Sequence, residues 1–206
     1  QIVAELRGKR TRMPNGSYEY VGGIVDEVRR NGIEANVRTL RAGIANETMQ
    51  QTFMVLGYKY VKFFNVLDGR TSKRCAFYSN KVYRIDEPHP VPPLHPNCRS
   101  LLIGVSDKEG KLEGKRPFVA SDKPVSKIPK DQRRDVIGQV DANVGFKSWF
   151  NKQDAEFQRN WLGPSRYALF KKGGYDLDRF VDPLGNELTL AELKSLDEKT
   201  FKELNL

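Results

Sequence analysis

The sequence predicts an α+β fold: a helical N-terminal part, a small β-sheet core with a Cys/His loop, and a helical C-terminal tail. Three observations predict it. Apolar residues between Ile24 and Phe53 recur at mixed three- and four-residue steps, as on the faces of helices. The stretches "YKYVKFFNV" and "KVYRI" are aromatic and β-branched, as half-buried strands prefer. Capping and stop signals then punctuate the chain beyond residue 150.

Residues 1–57 form the helical part. "RMPNGSYEYVGG" is turn chemistry, with Asn-Gly after Pro, and the glycine pair in "VGGIV" marks a helix boundary. Ile33, Val37, Leu40 and Ile44 belong to the periodic set; Gly32 and Gly43 are expected to interrupt the helices and Gly57 to end the last one. Residues 58–106 form the β core. Its third strand, "RSLLIGV", is apolar enough to be central, and "DGRTSKRCAFYSN" starts as an Asp-Gly turn that can wind one helical turn around Cys75. A Pro-rich loop over residues 86–97 joins the second strand to the third.

Residues 107–134 read as a basic linker. From Ser106 the stretch carries nine basic and five acidic residues spaced by Pro and Gly, which suits an extended, solvated connection. Residues 135–206 form the helical tail. Asn151 with Asp154 resembles a capping box, and Phe157 and Trp161 follow at i,i+4 spacing. Gly163-Pro164 stops that helix, Ser165 can cap "RYALFKK", and Gly173-Gly174 closes it. Thr189 and Glu192 make a fuller capping box, and helical spacing assigns the tail's aromatics to a core.

The bulk numbers narrow the function classes. Thirty-five Lys and Arg against 26 Asp and Glu give a net charge of +9, which suits polyanionic surroundings such as nucleic acid or an acidic protein surface. No apolar run approaches the ~18 residues of a membrane span, and the start has no long apolar segment of a secretory signal. The chain begins at Gln1 without an initiator methionine, so residue 1 is expected to be a truncation or maturation point inside a longer chain. Two cysteines do not make a disulfide scaffold and fit a reducing compartment.

Chemistry concentrates in "PPLHPNCRS", where one of two histidines stands near one of two cysteines. A hairpin can bring Cys75 to the His95/Cys98 pair, and thiolates with imidazole suit zinc. Three such ligands leave a closed site one short; Asp68 and His89 are candidates for the fourth, whereas three ligands plus water is the geometry of a catalytic zinc. Unliganded packing and a Cys75–Cys98 disulfide are the other readings of the same residues. Arg70 and Arg99 flank the site and can bind phosphate, hence DNA, or hold Asp68 in a charge-assisted pair. No phosphate-cradling glycine motif and no H-E-x-x-H is present.

The stretch "DGRTSKRC…NKV…PPLHPNCRS" resembles the core motif of the Mu F-like phage head morphogenesis proteins, minor head proteins of tailed phages. Asp68, Arg70, Thr71, Cys75, Lys81, Val82, Pro93, His95, Cys98 and Arg99 match it, and the likeness covers about residues 40–106. "FQRNWLGPSRYALFKKGGYDLDRFVDPLGNELTLAEL" resembles the C-terminal extension often seen on these proteins. In two places the chain departs from the pattern. Ser72 stands where many members have the first cysteine of a Cys-x-x-Cys pair, and Asn80 replaces the usual glycine before Lys-Val. The resemblance implies a non-enzymatic virion component in the capsid interior near the portal vertex, present in the host cytoplasm during assembly. Its implied partners are the portal protein, the major capsid protein and double-stranded DNA bound without sequence preference, with no membrane. The implied roles are capsid assembly and DNA packaging or delivery. A zinc-dependent nuclease or toxin-type enzyme carried in the head is the alternative.

Overall fold

A computed structural model describes residues 8–206; the expectation about Gln1, and the side chain of Ile24, lie outside what it describes. The fold is α+β. Strands β1 (Gly8–Arg12) and β2 (Tyr18–Gly22) pair antiparallel around the Asn-Gly turn, where Asn15 Oδ1 accepts from the amide and hydroxyl of Ser17 and Gly16 adopts φ +83°. Helix α1 then runs unbroken over Ile24–Val55 and closes at Gly57, φ +80°.

Neither Gly32 nor Gly43 interrupts α1, contrary to the sequence expectation. A mid-helix glycine costs only ~1 kcal/mol, which a 32-residue helix absorbs. Gly43 lies beside the Pro-rich loop, where a Cβ would be in ordinary contact with Pro93 Cδ at 3.4 Å.

The first sheet has the order β5-β3-β6, with β3 (Tyr60–Phe64) antiparallel to β5 (Val82–Arg84) and to β6 (Leu101–Val105). Thus β6, expected to be central, is an edge strand. Its apolar character comes from α1, which covers it: Asn46, buried to 3% exposure, takes a bond from the Leu102 amide and gives one to the Ser100 carbonyl. The Asn46 amide caps the open strand edge as a neighbouring strand would. Between β3 and β5 lie β4 (Leu67–Asp68) and the short helix α2 (Lys73–Tyr78) around Cys75, as the sequence predicts.

The segment 107–134 is not a solvated linker. It supplies β7 (Lys115–Val119), the central strand of a second sheet, parallel to β4 and antiparallel to β8 (Ile137–Asp141). Charge hid this strand. The fully inward position of β7 is Arg116, 3% exposed, whose guanidinium lies 3.7 Å from the Phe64 ring centroid and donates to the Asn65 carbonyl. Phe118 reaches Trp149 with ring centroids 5.9 Å apart, in space that Gly138 leaves open beside it. The tail likewise opens with β8 and the short helix α3 (Arg133–Val136) before its helices begin.

Those helices are α4 (Phe146–Phe150), α5 (Ala155–Leu162), α6 (Pro164–Lys172), α7 (Leu190–Leu196) and α8 (Glu198–Glu203). The Thr189/Glu192 capping box forms in both directions, and Gly163 and Gly173 end their helices as expected. Two caps differ in detail. Asp154 alone caps α5, since Asn151 closes α4, and Pro164 takes the first position of α6 in place of a Ser165 cap. Phe146, Trp149, Phe150, Trp161 and Phe180 fill the larger core, and Val61, Phe63, Tyr78 and Leu102 the smaller. Helix α2 serves both, with Ala76 in the larger core and Cys75 in the smaller. No helix among the described residues is long and apolar enough to cross a membrane.

Candidate metal centre

Cys75 is placed by the start of α2. Ser72 Oγ accepts from the Cys75 amide at 3.2 Å, which ends the Asp-Gly turn and aims the thiol into the smaller core. The facing loop is pinned on both flanks. The Asn97 amide donates to Thr39 Oγ1 of α1 at 2.9 Å, and Arg74 of α2 donates to the Leu94 carbonyl at 3.3 Å. Within the loop the Cys98 amide returns to the His95 carbonyl at 3.1 Å, a turn helped by Asn97 in the left-handed region at φ 58°.

The result brings Cys75, His95 and Cys98 together. Cys75 Sγ lies 3.2 Å from His95 Nε2 and 3.7 Å from Cys98 Sγ, and the three ligand atoms all lie within 4.8 Å of one another. Both cysteines are buried and unbridged, while His95 is half-buried at the mouth. His95 Nδ1 sits 2.8 Å from the Pro96 carbonyl, which can only accept, so Nδ1 carries the proton and Nε2 presents its lone pair to the sulfurs. A histidine tied to a backbone carbonyl in this way is held in the tautomer and orientation that metal ligation needs. The three residues can hold a metal ion.

The two thiols are unequal. The hydrogen bond from Cys75 pulls the Cys98 thiol well down, helped by backbone donors at Leu94 and Ser100, against the effect of burial. The same bond, with burial, pushes Cys75 well up. One thiolate is therefore favoured at Cys98, with Cys75 as its proton donor.

Asp68 is not a fourth ligand. Its carboxylate accepts two bonds from the Arg99 guanidinium, one from the Arg70 guanidinium at 3.3 Å, one from the Arg70 amide at 3.0 Å and one from Thr71 Oγ1 at 3.2 Å. Those donors occupy the lone pairs a metal would need. His89 is also elsewhere: its Nδ1 meets the Glu87 carbonyl at 2.7 Å and its ring stacks on Tyr83. Of the two roles open to Arg70 and Arg99, the structure places both arginines on Asp68.

Three participants escaped the sequence reading. Ser72 and Ser100 each hydrogen-bond Cys75, and Pro96 orients His95 through its carbonyl. Only Ser72 left a signal, as a cap three residues before the cysteine. A small cleft of about 20 Å³ opens at the cluster, lined by Cys75 and His95 together with Arg70, Thr71, Ser72, Asn97, Arg99 and Ser100. No family model, no curated protein and no solved structure matches this chain.

Proposed function

We propose that this chain is a phage minor head protein, a structural component of the virion that acts near the portal in capsid assembly and in DNA packaging or delivery. What carries the reading is that the motif residues behave as a unit. Cys75, His95 and Cys98 cluster, while Asp68, Arg70, Thr71 and Arg99 form one hydrogen-bonded brace beside them. Seven of the ten residues that carry the resemblance thus fall in this cluster and its brace. The portal and major capsid proteins are the partners this reading requires, and the charge of +9 suits sequence-indifferent binding to packaged DNA.

Zinc is the metal this reading assigns to the cluster. A tetrahedral zinc with Zn–S of about 2.3 Å sets its sulfurs about 3.8 Å apart, and the Cys75 and Cys98 sulfurs stand at 3.7 Å. Two thiolates with one imidazole are a donor set that favours zinc over the oxygen-loving cations. Held there, the ion ties α2 to the loop before β6.

The deciding experiment is mass spectrometry of purified particles from a phage that encodes the chain. The protein should be present in few copies per particle, and its absence from mature and immature heads alike would overturn the reading. A second reading, a zinc-dependent nuclease, draws on one observation: Cys75 and His95 face a cleft also lined by Arg70 and Arg99. Metal-dependent nicking of supercoiled DNA, lost in His95→Ala, would favour it.

A further inference from the structure

Helix α1 has a second apolar face that the described residues leave uncovered. Its packed side runs through Thr39, Asn46 and Phe53 toward the loop and β6. Ile33, Val37, Leu40 and Ile44 lie on the other side and are 57%, 59%, 66% and 60% exposed. Their 4-3-4 spacing is that of a coiled-coil seam, with Val37 and Ile44 at a positions and Ile33 and Leu40 at d. The next seam positions are Arg30 at a and Glu47 at d, both exposed, so the apolar stripe ends in opposite charges.

We propose that this face joins two copies of the chain about a two-fold axis, with α1 antiparallel to its counterpart. Antiparallel pairing sets a positions against d positions. Val37 then meets the partner's Leu40, Ile33 meets the partner's Ile44, and Arg30 meets the partner's Glu47. Eight branched side chains leave water together, and each end of the seam is closed by an opposite-charge pair. A parallel pairing would set Arg30 against the partner's Arg30 and Glu47 against the partner's Glu47, which is unfavourable at both ends.

The surroundings admit such a partner. Beside the stripe an open apolar groove of about 670 Å³ runs between α1 and Pro93, lined by Leu40, Gly43, Ile44, Glu47 and Pro93. It continues the seam and receives the flank of the second helix. The 18 residues from Arg30 to Glu47 give a seam of roughly 27 Å at 1.5 Å per residue. That is a short interface, so the dimer forms and dissociates with concentration.

Sedimentation equilibrium of the whole 206-residue chain tests this. The expected result is the mass of two chains at high concentration and of one when dilute. Leu40→Asp and Val37→Asp should each leave a monomer throughout, with an unchanged melting curve at dilution because the sites are exposed in the monomer. Arg30→Glu should weaken the dimer about tenfold or more by setting two glutamates together at each end. Adding Glu47→Arg to it should restore the wild-type affinity. A monomer at every concentration overturns the proposal and leaves the stripe to a different protein. A dimer that survives both aspartate variants overturns it as well, and one indifferent to Arg30→Glu, or not restored by the double exchange, overturns the antiparallel pairing.

Discussion

Arg99 closes on Asp68 with two parallel bonds, Nη1 to Oδ2 at 2.6 Å and Nη2 to Oδ1 at 2.7 Å, across 31 positions of chain. The pair fastens β4 to the residue after Cys98, so it holds the two halves of the Cys/His cluster in register. Burial pushes the Asp68 carboxyl up, but the Arg99 hydrogen bond and charge, with Arg70, more than reverse this and leave it below the ordinary carboxylate value. The bidentate fork fits a planar carboxylate in a way that lysine does not.

Arg99→Ala should therefore destabilise the fold near the lower end of the roughly 3–5 kcal/mol that breaking a buried pair costs. The loss is moderated because Arg70 remains and the Arg99 side chain is 34% exposed. The sign with pH follows from the depressed carboxyl. Its contribution is complete above the unfolded value of about 4 and is lost as pH falls through the lower folded value. Melts at descending pH should show that decline in the wild type and little of it in Asp68→Asn. An acid profile identical in the two proteins would refute the assignment.

Strand β7 predicts a protease pattern opposite to that of a linker. Trypsin does not cut before proline, which excludes the Arg116-Pro117 bond; the strand's own trypsin site is Lys115, whose backbone pairs with Asp141 of β8. Early cuts should fall at exposed lysines outside the strand, such as Lys108, Lys111 or Lys127, and should spare Lys115. Early cleavage after Lys115 would mean that the second sheet does not hold in solution.

That strand also shows where sequence reading ran short. Turns and caps are local, so Gly57, Gly163 and the Thr189/Glu192 box could be read directly, and so could the helical turn at Cys75. Strand order is non-local. β6 looked central because its outer face is covered by α1 through Asn46, and β7 looked solvated because its inward residue is an arginine stacked on Phe64. The three metal-competent residues were legible from their types and the hairpin between them. Asp68 was misassigned as a ligand because charge alone cannot tell a carboxylate that meets a metal from one that meets two arginines.

DNA binding should be non-specific and strongly salt-dependent, since a net charge of +9 acts through phosphates. Gel shifts on unrelated duplexes should give similar affinities that fall steeply from low to physiological salt. With Arg70 and Arg99 engaged on Asp68, replacing either by Gln should change this affinity less than it changes stability. A complex confined to one sequence, or indifferent to salt, would contradict the reading.

The metal centre gives the prediction that separates the three readings of "PPLHPNCRS". If an ion joins Cys75, His95 and Cys98, its binding free energy is part of the folding free energy. His95→Ala and Cys98→Ser should then each cost several kcal/mol, on the order of the contribution of a structural ion, and a chelator should lower the wild-type melting temperature while leaving both variants unchanged. Ligation also requires the proton that Cys75 holds against Cys98, so metal binding should release it and weaken as pH falls. A Cys75–Cys98 disulfide behaves otherwise: its sulfurs would have to close from 3.7 Å, stability would respond to reductant, and His95→Ala would be nearly silent. Simple packing predicts no effect of chelator or reductant and unrelated costs for the two substitutions. Elemental analysis of protein purified without added metal decides first, and well under one zinc per chain, with a melt that chelator does not move, would end the zinc assignment.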